Sequence, residues 1–135
     1  MIPVDMTTKH EPPDSIGDCF PCCIASILEL PRSEVPHVYE GEGYLDKSGK
    51  VGMRRLQEWL APRGLYFMEF GVKVEDLPGW KPFLECHYVL SGMSPRGHRH
   101  ATVGYNGEMV HDPHPNRDGV RPDDGFYSLG FLVRR

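Results

Sequence analysis

Three cysteines packed into Cys19-Phe-Pro-Cys22-Cys23, and four histidines between residues 98 and 114, are the groups in this sequence best able to make and break bonds. A cysteine is a nucleophile only as its thiolate, and an ordinary thiol, with a pKa of ~8.5, is mostly protonated at neutral pH. The N-terminus of a helix favours the thiolate through its unpaired N–H groups and its dipole. Cys19 follows Gly17-Asp18 and precedes Pro21, which reads as a helix start with Asp18 as N-cap and Pro21 in the first turn. Cys23, Ile24, Ile27, Leu28 and Leu30 then recur at helical spacing until Pro31, predicting a helix over 19–30 that is apolar enough to be central to the core. Its N–H groups are placed to stabilise an oxyanion on a substrate carbonyl, and Gly17 lets a substrate approach the backbone.

The base for such a nucleophile must come from a distant part of the chain. His100 opens a strand-like run, His-Ala-Thr-Val-Gly-Tyr, and Glu108–Asp112 reads as its partner across Asn106-Gly107, the strongest short hairpin signal a sequence carries. Pairing across that turn sets residues near 101–104 opposite 109–112, so His100 and Asp112 fall together at the open end of the hairpin. An aspartate there holds the imidazole tautomer and stabilises the imidazolium. The expected constellation is therefore Cys19 as nucleophile, His100 as base and Asp112 as its orienting carboxylate. His98, His111 and His114 are neighbours able to stand in for His100, His111 the least because it points to the opposite sheet face from Asp112.

Other elements must hold these groups. Residues 1–17 read as an extended, proline-punctuated lead-in, and 31–51 as irregular connection. A second helix is predicted over 52–61, with Met53, Leu56, Trp59 and Leu60 on one face, ended by Pro62 and Gly64. Strand patterns follow at Leu65–Phe70, at Phe83–Leu90 with Cys86 in the core, and at Phe126–Val133, while 91–99 and 113–125 are polar loops. The order of helix, helix and then antiparallel strands is an α+β layout in one domain, 1–135.

With these residues in view, Gly17-Asp-Cys-Phe-Pro-Cys-Cys-Ile-Ala-Ser-Ile-Leu28, His100-Ala-Thr-Val-Gly-Tyr and Val110-His-Asp-Pro113 together resemble the papain-like cysteine peptidase superfamily. The closest branch is the bacteriocin-processing (double-glycine leader) peptidases and their small phage and prophage relatives. There a cysteine opens the first long helix with a second cysteine four residues on, as Cys19 and Cys23 stand here, and an Asp-Pro pair follows a short hairpin. The resemblance covers about a third of the chain directly. It implies a central N-terminal helix packed on an antiparallel sheet, and hydrolysis of a peptide or amide bond through a thioester, without a cofactor or metal, on a peptide or protein substrate. One departure stands out. Such peptidases carry a glutamine shortly before the cysteine to complete the oxyanion hole, whereas the only glutamine here is Gln57, on the second helix. Gly17, Asp18 and Asn116 are the remaining candidates for substrate or oxyanion contact.

Bland readings compete with each of these. Cys22 and Cys23 fit a helix core, although a Cys-x-x-Cys reading makes Cys22 the nucleophile. The cysteines and histidines together contain enough ligands for zinc, yet Cys22 and Cys23 diverge on a helix. The lost glutamine also suits a catalytically weak binding or inhibitory module, phage-encoded and acting on a host partner. Composition narrows the field further: a formal charge of −4 without a basic-aromatic run disfavours nucleic acid. No apolar stretch approaches the ~20 residues that span a bilayer. With no export signal in MIPVDMTTKHEPP, the expectation is a cytoplasmic protein with reduced thiols.

Overall fold

In the computed structural model, which describes residues 1–135, the apolar run after Asp18 forms helix α1 (Cys19–Leu28). It ends sooner than its spacing predicts because Glu29 takes left-handed backbone, φ 58°, and turns the Leu30 N–H back to the Ala25 carbonyl at 2.9 Å. The connection after Pro31 is less irregular than expected, since it contains the single turn α2 (Glu42–Leu45). Helix α3 (Lys50–Leu60) buries Leu56 and Leu60 and leaves Arg54 and Glu58 in solvent, as an amphipathic helix on a core must. A further turn of helix, α4 (Leu77–Trp80), lies in the stretch read as turn-rich.

Five strands, β1 (Leu65–Lys73), β2 (His87–Met93), β3 (Arg99–Tyr105), β4 (Glu108–His111) and β5 (Phe126–Arg134), make one antiparallel sheet in the order β1-β5-β2-β3-β4. The architecture is α+β. The strand expected over 83–90 is displaced: residues 81–83 form a tight turn in which the Leu84 N–H returns to the Lys81 carbonyl, and pairing begins only at His87. Cys86 therefore lies before the strand and is exposed, not in the core as its pattern suggested. Pairing continues through Met93 into the segment read as loop.

Helix α1 packs on β2 and β3, and α3 on β1, so one sheet face meets both long helices. Ile24, Leu56, Leu60, Val89 and Val103 meet there with almost no exposure, each large aliphatic side chain contributing roughly 1.5–3 kcal/mol on burial. Leu84, Tyr88, Leu90 and Leu129 form a second cluster. The glutamine of α3 has a purely structural partner: Gln57 donates to the Phe67 carbonyl at 2.8 Å and accepts from the Phe67 N–H at 3.0 Å. That pair occupies backbone groups on β1, an edge strand that would otherwise offer them to another chain.

Asp18 does not cap α1, contrary to expectation; its side chain makes no cap hydrogen bond. The carboxylate is fully buried and accepts from the Thr7 N–H (3.0 Å), the Thr7 hydroxyl (2.6 Å), the Thr8 N–H (3.1 Å) and Arg32 Nε (2.8 Å). Burial opposes its ionisation, but donors from Thr7, Arg32 and Thr8 outweigh it and hold its pKa down at about 2. The stabilisation is thus complete above pH 3.8 and is lost as the pH falls through about 2. Removing one partner of a buried, hydrogen-bonded ion pair strands the other. Asp18→Ala is expected to lower the unfolding free energy at pH 7 by roughly 3 kcal/mol in a urea titration; a loss under ~1 kcal/mol, the range of an exposed pair, would overturn this role.

Candidate active site

Helix α1 begins at Cys19, and the first intrahelical donor is Cys22, whose N–H reaches the Asp18 carbonyl at 3.1 Å. Pro21 has no N–H, so the N–H groups of Cys19 and Phe20 are the unpaired donors of this helix end. Cys19 itself is half-buried, and all four cysteines are free thiols.

The Asn106-Gly107 turn forms with both residues at positive φ, 54° and 81°, as a two-residue hairpin requires. Its register has one irregularity: Gly104 pairs Met109 but Val103 pairs His111, so Val110 is the extra residue of a bulge. Asp112 follows directly, and Asp112 Oδ1 accepts from His100 Nε2 at 2.6 Å. The two side chains have 2% and 0% exposure, so the pair is insulated from water. A carboxylate only accepts, which puts a proton on Nε2 and leaves Nδ1 as the other ring nitrogen, while Cys19 is near enough to favour the imidazolium. Asp112 is held in turn by the His114 N–H on Oδ1 (2.9 Å) and the Gly119 N–H on Oδ2 (2.8 Å).

These contacts determine charge. Burial disfavours a charged His100, yet hydrogen bonding to Asp112 and to Cys19 outweighs it and raises the imidazole to about 9. For Asp112, burial favours the neutral acid, but His100 and the two N–H donors bring it to about 2. The three residues foreseen as a constellation are thus brought together, in the order Cys19, His100, Asp112.

The neighbouring candidates separate. His111 is buried against the N-terminal segment, where Nε2 donates to the Val4 carbonyl at 2.9 Å. His98 and His114 face the same cleft as Cys19, but burial and nearby positive groups lower both below the ordinary histidine value. Cys22 is buried with its Sγ toward the Asp5 carbonyl at 3.3 Å; burial, then the Asp18 charge, push its thiol up to about 12. Its burial and raised pKa both disfavour a thiolate there.

A cleft of about 1150 Å³ opens over Cys19 and His100, walled by the lead-in segment, the connection around α2 and the loops beside β3. Of the three residues expected to contact substrate, Asn116 lies on its wall and is exposed. Gly17 also lines it, but its N–H is spent on His10 Nδ1 at 3.2 Å. Asp18 does not line it, being buried with Thr7, Thr8 and Arg32. Among the cleft residues that escaped the sequence reading are His10 and Tyr44, which lie in segments with no periodicity to mark them. No group of three or more histidine, cysteine or acidic side chains is arranged to hold a metal ion, and no helix is long and apolar enough to cross a membrane. Compared with protein-family models, with curated proteins and with solved structures, the chain finds no match.

Because the folded His100 pKa lies above its ordinary 6.5, the pair stabilises the protein fully below that pH and loses this contribution as pH rises through about 9. In Asp112→Asn the desolvation of His100 is no longer balanced by a carboxylate. His100 is then expected to titrate well below its wild-type value in an NMR pH titration of its imidazole. An unshifted titration would show that Asp112 does not hold the proton on His100.

Proposed function

We propose that this chain is a papain-like cysteine hydrolase that cleaves a peptide or amide bond through a thioester on Cys19. The observation that supports it best is the buried His100–Asp112 pair, Nε2 on the carboxylate, with Cys19 at a helix N-terminus near the imidazole. In this reading His100 takes the thiol proton, and the Cys19 thiolate attacks the substrate carbonyl carbon, whose π electrons move to oxygen. Collapse of that intermediate breaks the C–N bond while the His100 imidazolium protonates the departing amine. Water, deprotonated by His100, then attacks the thioester and releases the acid and the free thiol. Asp112 touches no substrate; it orients His100 and favours its charged form. The cleft over Cys19 is large enough for several residues of a peptide or protein tail.

A second reading, a papain-like scaffold used for binding or inhibition, is favoured by one observation. Gln57, the only glutamine, is hydrogen-bonded to β1 and lines no part of the cleft. A site lacking an oxyanion donor is slower by roughly 10²–10³.

Alkylation separates the two. Iodoacetamide is expected to label Cys19 rapidly at pH 6, with Cys19→Ser unlabelled at that position. His100→Ala should slow the labelling by roughly 100-fold, the scale on which a thiol of pKa ~8.5 is protonated there. Peptide mapping by mass spectrometry reads the site and the rate. Labelling that appears only near pH 8.5, with or without His100, would leave the binding reading.

A further inference from the structure

Four cleft histidines, His10, His37, His98 and His114, are not used by the proposed reaction; in His10 and His114 a backbone N–H on Nδ1 sets the tautomer, and of these two it is His10 that packs against Gly17, two residues before Cys19. His10 Nδ1 accepts the Gly17 N–H at 3.2 Å, so in the neutral ring the proton must reside on Nε2. That Nε2–H has no hydrogen-bond partner in the protein, and the ring is only half-buried, on the cleft wall. Its position is constrained on three sides. A Cβ on Gly17 would lie 2.9 Å from the His10 Cβ, so the two segments are in van der Waals contact just two residues before Cys19. The His98 ring lies against it with centroids 4.7 Å apart, and the Tyr44 ring meets it edge-on at 6.0 Å. Burial lowers its pKa below the ordinary 6.5, which keeps it neutral at pH 7.

A neutral imidazole with one free, tautomer-locked N–H, in the same cleft as the nucleophile and packed against the residues that lead into it, is suited to an oxyanion. It donates one hydrogen bond and needs no reorganisation when charge develops. The helix end supplies the N–H groups of Cys19 and Phe20 as backbone donors, and no glutamine or asparagine precedes Cys19 to supply a side-chain donor. We propose that His10 is the side-chain oxyanion donor of the Cys19 site, its Nε2–H fixed toward the cleft by the Gly17 N–H on Nδ1. This rests on Cys19 acting as an acyl acceptor. It accounts for the lead-in passing beside the start of α1, and for Gly17, where any side chain would displace His10.

Two probes of one thiol test it. p-Nitrophenyl acetate acylates Cys19 through a tetrahedral oxyanion: the C–S bond forms, the C–O bond to p-nitrophenolate breaks, and the thiol proton passes to His100. Iodoacetamide alkylates the same sulfur by displacing iodide at a saturated carbon, with no oxyanion. In the full chain at pH 7, His10→Ala is expected to slow acylation by roughly 10²–10³ while alkylation stays within about twofold. His10→Gln, which keeps an N–H donor, should restore acylation to within about tenfold of wild type. Parallel loss of both rates in His10→Ala would make His10 a structural residue and overturn the proposal. So would acylation unchanged in His10→Ala, or acylation lost in Asn116→Ala alone. A wild-type Cys19 that neither probe labels would instead remove the hydrolase reading itself, and the oxyanion role with it.

Discussion

A carboxylate without any contact with water lies beneath the candidate site, and much of the surrounding geometry follows from keeping Asp112 ionised there. An unpaired charge in such a place costs several kcal/mol, so it persists only if donors surround it. Three converge: His100 Nε2, the His114 N–H and the Gly119 N–H. Each imposes a constraint on the chain. His100 must stand near the start of β3, and the chain after Asp112 must curl so that two backbone N–H groups face one carboxylate. Gly119 meets this with positive φ, 73°, a conformation open to glycine at little cost. The loop over 113–119 is thereby shaped by electrostatics more than by packing. The same carboxylate brings His100 to about 9 against the opposing effect of burial.

The second buried carboxylate performs the same service for the N-terminal segment. Asp18 binds Thr7, Thr8 and Arg32 at once, so the lead-in, the start of α1 and the turn after α1 are fastened at one point. Further contacts continue the fastening toward the hairpin: the Met6 N–H donates to the Pro113 carbonyl at 3.0 Å, and His111 donates to the Val4 carbonyl. A segment with no regular structure is thus held at several points along its length, and it becomes one wall of the cleft. The two aspartates differ in what they fix. Asp112 fixes a side chain, and Asp18 fixes a backbone path.

What could be read from residues alone follows from the range of the interactions involved. The start of α1 at Cys19 and the Asn106-Gly107 turn are local, encoded within a few residues, and they suffice to foresee Cys19, His100 and Asp112 in one place. The bulge at Val110 has no such signature, because it depends on how Val103 and His111 meet across the sheet. Asp18 was misread for a related reason. Aspartate before a helix is a common cap, but Thr7, Thr8 and Arg32 arrive from elsewhere and outcompete the helix N–H groups. Cys86 failed as a core residue because the turn over 81–83 delays the strand, and a loose alternation cannot show where pairing begins. His10 carried no signal at all: its tautomer is set by Gly17, seven residues on, through a loop that periodicity does not describe.

The histidines show how strongly environment divides one residue type. His100, with a buried carboxylate on Nε2 and Cys19 nearby, is stabilised as a cation. His98 and His114, on the same cleft wall, are destabilised as cations by burial first and then by the positive charge of Arg96 and of His100. His10 has a backbone N–H on Nδ1 where His100 has a carboxylate on Nε2, so the first contact favours a neutral ring with its proton on Nε2 and the second favours a protonated ring. Crowding these rings together helps the division. A charged His100 raises the cost of a second charge nearby, which adds to the burial that holds His98 and His114 below the ordinary histidine value. In the proposed hydrolase a positive charge on His100 would stabilise a thiolate before attack, and the N–H groups at the start of α1 an oxyanion after it.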